Sequence, residues 1–154
     1  MKKVSKFAYI KGLYMDTNQI EKLIDMALEA REKAYAPYSD FRVGAALVTS
    51  DGFYYSGCNV ENASYGATNC AERTAIFKAV SEGHTRLKAI AIVGGMDKGQ
   101  LTYAYPCGVC RQVMREFADD KGLAIIVARS VSDYKSYTLK DLLPESFGPD
   151  FRIG

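Results

Sequence analysis

Two short apolar runs, Leu87–Val93 and Leu123–Ala128, bracket a stretch that carries its own helix start and stop, and this unit limits the fold more than any other feature. Pro106 stands where proline favours helix initiation, so a helix is predicted from Cys107 to about Asp120, ended by Gly122. Two apolar strands joined through a helix make a parallel crossover, which is right-handed in nearly all sheets.

The flanking segments fit around that unit. Asn18, with Glu21 three residues later, reads as a capping box. Ile20, Leu23, Ile24, Ala27 and Leu28 then recur on one helical face up to about Tyr35, and Pro37 follows. Arg42–Thr49 reads as a strand, Ser50-Asp51-Gly52 as a turn and Phe53–Asn59 as the returning strand. After a polar loop from Glu61 to Thr68, Asn69 is expected to cap a helix from Cys70 to about Glu82, ended at Gly83. Tyr134–Thr138 follows the last apolar run after a short connection, so it should lie antiparallel to it. Thr138 then leads a short helix, Leu139–Leu143. The sum is an α/β chain: a three-layer α-β-α sandwich around a five-stranded mixed sheet. At 154 residues it suits one domain, residues 16–154, with residues 1–15 as a loosely ordered extension and Met15 as an alternative start.

A net charge of +2 without clustered Lys and Arg argues against a nucleic-acid partner. No apolar run approaches the ~20 residues needed to span a bilayer, and Lys6 and Lys11 interrupt any signal-peptide core. The expected setting is the cytoplasm, with no membrane partner. There, the four cysteines, Cys58, Cys70, Cys107 and Cys110, favour metal or redox roles over disulfides.

Two segments carry the chemistry: Asn69-Cys70-Ala71-Glu72-Arg73 and Pro106-Cys107-Gly108-Val109-Cys110-Arg111-Gln112. Each puts cysteine at a predicted helix start, where free N–H groups and the helix dipole favour thiolate. Cys107 and Cys110 lie one turn apart, and Cys70 can converge on them from its own helix. Three protein ligands leave zinc one open position for water, the mark of a catalytic site. Glu72 is close enough to move protons without ligating, and Arg73 can offset the excess thiolate charge.

Zinc deaminases combine such ligands, a non-ligand Glu and a later Pro-Cys-x-x-Cys. The chain resembles the homotetrameric-type cytidine deaminases within the cytidine/deoxycytidylate deaminase superfamily. The likeness extends to Ala36-Pro37-Tyr38-Ser39-Asp40-Phe41-Arg42-Val43-Gly44-Ala45-Ala46, to Gly57-Cys58-Asn59-Val60-Glu61-Asn62-Ala63 and to Leu142-Leu143-Pro144-Glu145-Ser146-Phe147-Gly148-Pro149. It covers roughly residues 16 to 149.

The resemblance implies one Zn²⁺ per subunit on Cys70, Cys107 and Cys110, with Glu72 as proton shuttle. It implies Asn59 and Glu61 on the sugar 3′-hydroxyl, Phe41 against the pyrimidine and the Ala71 N–H on the base carbonyl. Arg73 would donate to the ligand thiolates, and Tyr65 and Phe147 would enter a neighbouring subunit's site in a homotetramer. The expected reaction is hydrolytic deamination of free cytidine and 2′-deoxycytidine in pyrimidine salvage. In such enzymes serine usually precedes Pro-Cys; here it is Tyr105.

Plainer readings stand beside these. Cys58 could complete a closed Cys₄ site in a zinc-stabilised interaction module, although its strand position suggests a packed thiol. Cys107 and Cys110 could form a disulfide-exchange centre. Glu72 alone could be a first-turn acid, Asn59 and Glu61 a solvated edge, and Phe41 and Tyr65 core aromatics. Phe147 could simply dock a C-terminal tail. His84 reads as a surface residue, and Arg111 and Arg115 as a solvated helix face. A polynucleotide or another cytosine-containing small molecule could replace the nucleoside as substrate.

Overall fold

The computed structural model describes residues 7–149. The chain opens with a hairpin, β1 (Phe7–Ile10) and β2 (Leu13–Asp16). Its two-residue turn, Lys11-Gly12, holds φ at 41° and 97°, the left-handed pair that matches strand twist in a tight hairpin. This corrects the loose extension expected for residues 7–15; residues 1–6 lie outside the described residues. Helix α1 (Thr17–Arg31) follows directly. Its cap is Asp16, whose side chain accepts from the Asn18 N–H at 2.8 Å, so the expected capping role of Asn18 moves two residues upstream.

The main sheet is built from β3 (Phe41–Thr49), β4 (Tyr54–Cys58), β5 (Leu87–Met96), β6 (Leu101–Thr102), β7 (Ala124–Ser130) and β8 (Asp133–Thr138). The strand order is β4-β3-β5-β7-β8, with β6 on β5. The β5–β7 pair is parallel and the others are antiparallel, as the crossover unit and the short last connection require. The sheet has six strands rather than five because Leu101-Thr102 returns along Gly94-Gly95 inside a segment expected to be loop.

Alternate strand residues feed two cores. Leu47, Ile90, Ile92, Ile125 and Val127 face α2 (Ala71–Ser81), α3 (Gly108–Phe117) and α4 (Leu139–Leu142). Ala46, Ala89, Ala91, Ala124 and Ala128 face α1 and the hairpin. Small residues on that second face let α1 lie close, and Gly44 marks the closest approach: a Cβ there would sit 1.9 Å from the Ala27 carbonyl oxygen. Gly57 does the same for α2, where an added Cβ would meet the Ala75 nitrogen at 2.6 Å. The buried Arg31 side chain ties the end of α1 to the sheet, donating to the Arg42, Gly95 and Met96 carbonyls. The helix layers and the six-stranded mixed sheet make this an α/β sandwich. Among the described residues no helix is long and apolar enough to cross a membrane.

Candidate zinc site and nucleoside pocket

Helices α2 and α3 both start with a cysteine as cap. Cys70 and Cys107 hold extended backbone, at ψ 155° and 166°, immediately before the first helical turn. Asn69, expected to cap α2, lies one residue further out and donates to the Thr74 hydroxyl at 3.1 Å. Cys107 accepts from the Cys110 N–H at 3.4 Å, so its sulfur satisfies one of the free donors of α3.

The Cys70, Cys107 and Cys110 sulfurs all lie within 4.8 Å of one another, and Cys70 and Cys107 are 3.7 Å apart. Tetrahedral zinc with Zn–S bonds of about 2.3 Å sets its sulfurs about 3.8 Å apart, so the donor set fits the ion. Cys58 lies outside the group and meets the Lys33 carbonyl instead, so the four-sulfur site does not form.

Charge around the sulfurs is arranged for thiolates. Hydrogen bonds from Cys110 and from Arg73 bring Cys70 down to about 5 against the cost of burial. The proton shared between them stays with Cys110, whose thiol is pushed up by that bond and by burial. Burial disfavours the Arg73 cation, but bonds to Cys70 and Cys110 outweigh it and hold the guanidinium charged. Its Nη2 reaches the Cys70 sulfur at 3.4 Å, while its buried Nε has no partner among the described residues.

Glu72, second residue of α2, is only 4% exposed. Desolvation raises its carboxyl to about 7, a rise that the Cys70 charge adds to and that bonds from its own backbone and Cys110 oppose. The contact with Cys110 sets the carboxyl beside the sulfurs without making it one of them.

Beside them opens a cavity of about 290 Å³ whose lining includes Phe41, Asn59, Ala71, Glu72, Tyr105 and Cys107. That is close to the lower bound for small-molecule sites. Larger hollows, of about 730 and 710 Å³, lie against the N-terminal hairpin and hold none of the expected site residues. Ala71, fully buried, stands at the first position of α2, where a backbone N–H has no intrahelical partner.

Asn59 and Glu61 follow the end of β4 and turn toward the segment leading into β3. The Asn59 side chain accepts from the Val43 N–H at 2.9 Å and donates to the Phe41 carbonyl at 2.8 Å. Glu61 accepts from the Tyr38 and Ser39 N–H groups and from the Ser39 hydroxyl, and these bonds lower its carboxyl below the ordinary value. Glu61 and Tyr65 line an adjoining hollow that shares Thr68 with the first. Tyr65 is 74% exposed and Phe147 72%; Phe147 lines neither hollow.

Several residues escaped the sequence pattern. Arg111 is no solvated residue: it donates to the Pro106 carbonyl at 2.8 Å and to the Leu142 carbonyl at 2.7 Å, clamping the loop that leads to Cys107. Arg115 bonds the Ser146 hydroxyl. His84, expected on the surface, stacks on Phe53 with ring centres 4.1 Å apart and meets Asp51 at 2.8 Å. Apart from the Arg111–Pro106 bond, these contacts join residues far apart in sequence, so no local signal announces them.

Comparison with known proteins agrees with this geometry. Residues 17–126 match the family described as the cytidine and deoxycytidylate deaminase zinc-binding region. A cytidine deaminase of Sporosarcina psychrophila is 47% identical over 131 residues, 85% of this chain and 93% of the relative. One from Halalkalibacterium halodurans is 50% identical over 127 residues, 81% of this chain and 91% of the relative. The crystal structure of cytidine deaminase from Burkholderia pseudomallei superposes with a TM-score of 0.72 at 51% identity, covering 82% of this chain and 97% of that one. With the sulfur triad, the buried carboxyl and the sheet order already in place, this degree of likeness assigns the chain to the cytidine and deoxycytidylate deaminase family.

Proposed function

We propose that this chain hydrolyses the exocyclic amine of free cytidine and 2′-deoxycytidine, giving uridine or 2′-deoxyuridine and ammonia. The observation that carries this reading is a buried carboxyl, Glu72, beside three converging sulfurs at one end of a nucleoside-sized cavity. Cys70, Cys107 and Cys110 would hold zinc, one ion per subunit, which would supply Lewis-acid activation of water. The remaining work falls to side chains. Glu72 takes a proton from the attacking water and gives it to ring N3, which makes C4 electrophilic. A C4–O bond forms, the C4–N bond breaks, and the amine leaves as ammonia with a second proton passed through the same carboxyl. Oxidation states do not change.

The Ala71 N–H orients the base carbonyl, Phe41 packs on the pyrimidine, and Asn59 and Glu61 hold the 3′-hydroxyl. Asn59 keeps one amide hydrogen and one oxygen lone pair beyond its bonds to Phe41 and Val43, enough to serve a hydroxyl. Contact at the 3′ position accepts ribose and deoxyribose alike. Arg73 balances the thiolate charge. The small cavity and a net charge of +2 favour a free nucleoside over a polynucleotide.

The assembly is proposed to be a homotetramer in the cytoplasm, where the thiols stay reduced. Tyr65, which lines the hollow adjoining the site, and Phe147 support it, since each presents a large, mostly exposed ring. Mixing Glu72→Ala subunits with Phe147→Ala subunits should restore activity if Phe147 serves a neighbour's site. Light scattering should give four times the chain mass.

The direct test follows the ultraviolet absorbance of cytidine with purified protein. Turnover should stop on chelation and return with zinc. An unchanged cytidine spectrum with the zinc-loaded protein refutes the proposal.

A further inference from the structure

Tyr105 stands between Ala104 and Pro106, two residues before Cys107, and lines the same cavity as Glu72 and Ala71. It is 45% exposed, yet its ring is not free to swing. Its hydroxyl meets the Tyr137 hydroxyl at 3.0 Å, and the two rings pack edge-on with centres 5.8 Å apart. Tyr137 lies on β8, paired with Ile125 of β7, so the tether ends on the main sheet. From the other side, the Arg111 side chain holds the Pro106 carbonyl and the Leu142 carbonyl together. Tyr105 is therefore a fixed wall.

The position of that wall follows from the proposed reaction. N3 and the base carbonyl must face Glu72 and the Ala71 N–H, both at the start of α2. In a pyrimidine, C4 has two ring neighbours, N3 and C5. With N3 turned to α2, C5 turns to the rest of the cavity lining, in which Tyr105 is the largest side chain without an assigned contact. Resting on the deaminase reading, we infer that Tyr105, braced by Tyr137, closes the C5 edge of the pocket and makes the enzyme select cytosine nucleosides unsubstituted at C5. A methyl group forced against a fixed wall changes selectivity by about 10- to 200-fold.

The test compares kcat/KM for cytidine and 5-methylcytidine, whose hydrolysis gives 5-methyluridine and ammonia with no other reactant. The ratio cancels general damage to the machinery. The unsubstituted enzyme should prefer cytidine by at least about tenfold, and Tyr105→Ala should cut that preference by about tenfold. Tyr137→Phe keeps the Tyr105 ring but removes its tether, and should cut it by about threefold. Calorimetric binding of uridine against 5-methyluridine should shift in the same direction, independent of turnover.

A preference unchanged within twofold in Tyr105→Ala overturns the assignment. If that variant does not fold, Tyr137→Phe decides, and an unchanged ratio there overturns it equally. A zinc-loaded protein that leaves cytidine intact removes the deaminase reading instead, while the uridine pair still reports on Tyr105.

Discussion

Replacing Glu72 by Gln should destroy turnover and stabilise the metal-free protein. Glutamine matches glutamate in shape, so packing at this buried position is kept. A single positioned acid or base contributes about 10²–10⁴ in rate, and Glu72 is asked to act on both the water and N3. We expect kcat/KM for cytidine to fall at least about 10³-fold, equivalent to about 4 kcal/mol. Stability moves the other way. In the metal-free chain burial lifts the Glu72 carboxyl from 4.5 to about 7. Between those values the unfolded chain releases a proton that the folded chain keeps. Stability therefore falls as pH rises from 4.5 toward 7, and the loss is complete above that. About 2.5 pH units of difference correspond to about 3 kcal/mol, which glutamine does not lose. Urea unfolding of chelated, reduced protein at pH 8 should show Glu72→Gln more stable by up to that amount, and at pH 4 the two proteins should converge. Cytidine turnover of the zinc-loaded variant, with its zinc content measured, completes the assay. Residual activity above one tenth refutes the proton-shuttle role. A variant less stable than the parent at pH 8 refutes the account of burial.

Three further outcomes are expected. Gly44→Ala should cost about 3 kcal/mol or more in urea unfolding, because its Cβ would meet the Ala27 carbonyl at 1.9 Å and backbone must move. Cys110→Ser should lower bound zinc well below one per chain by elemental analysis, because the buried Cys110 sulfur is one of only three donors. Lys11→Ala should cost less than about 1 kcal/mol, because Lys11, in its 2.7 Å pair with Asp141, is mostly exposed. Lys11 and the Thr138 N–H lower the Asp141 carboxyl from 3.8, so that small contribution is present above pH 3.8 and fades as pH falls below it. A loss equal at pH 7 and pH 2 would count against the pairing.

The parts of the fold written in local pattern were legible in the sequence. Apolar runs and turn residues located β3, β4, β5, β7 and β8, and cysteines at helix starts located the sulfur triad. Parts that depend on tertiary contact were not. Strand β6 has two residues and exists only because Gly94-Gly95 offer it an open edge. Residues 7–16 lack periodicity, yet the Lys11-Gly12 turn closes them into a hairpin whose Ile10 and Met15 bury against α1. Asp16 caps α1 because the hairpin delivers the chain there, although Asn18 has the better-looking spacing. Arg111 and His84 look like surface residues until partners dozens of positions away, Leu142 and Asp51, fold against them.

The placement of the sulfurs on helix caps carries a consequence for how the site assembles. Three sulfurs within 4.8 Å repel one another once they are ionised, and the fold must hold them together against that repulsion. Two devices reduce it here. Both helix starts direct free N–H groups and positive dipole ends at the sulfurs, and Arg73 adds a full charge from the same turn as Glu72. The metal-free chain keeps one proton between Cys70 and Cys110, so zinc binding must release it. The sheet supplies the rigidity: Gly57 lets α2 sit directly on β4, and Arg111 locks the loop before α3. The donors are thus held in position by packing that does not depend on the ion. Zinc removal should therefore abolish turnover while leaving most of the far-ultraviolet circular dichroism intact. A chelated protein that loses its helical signal would show instead that the metal holds the two helix starts together.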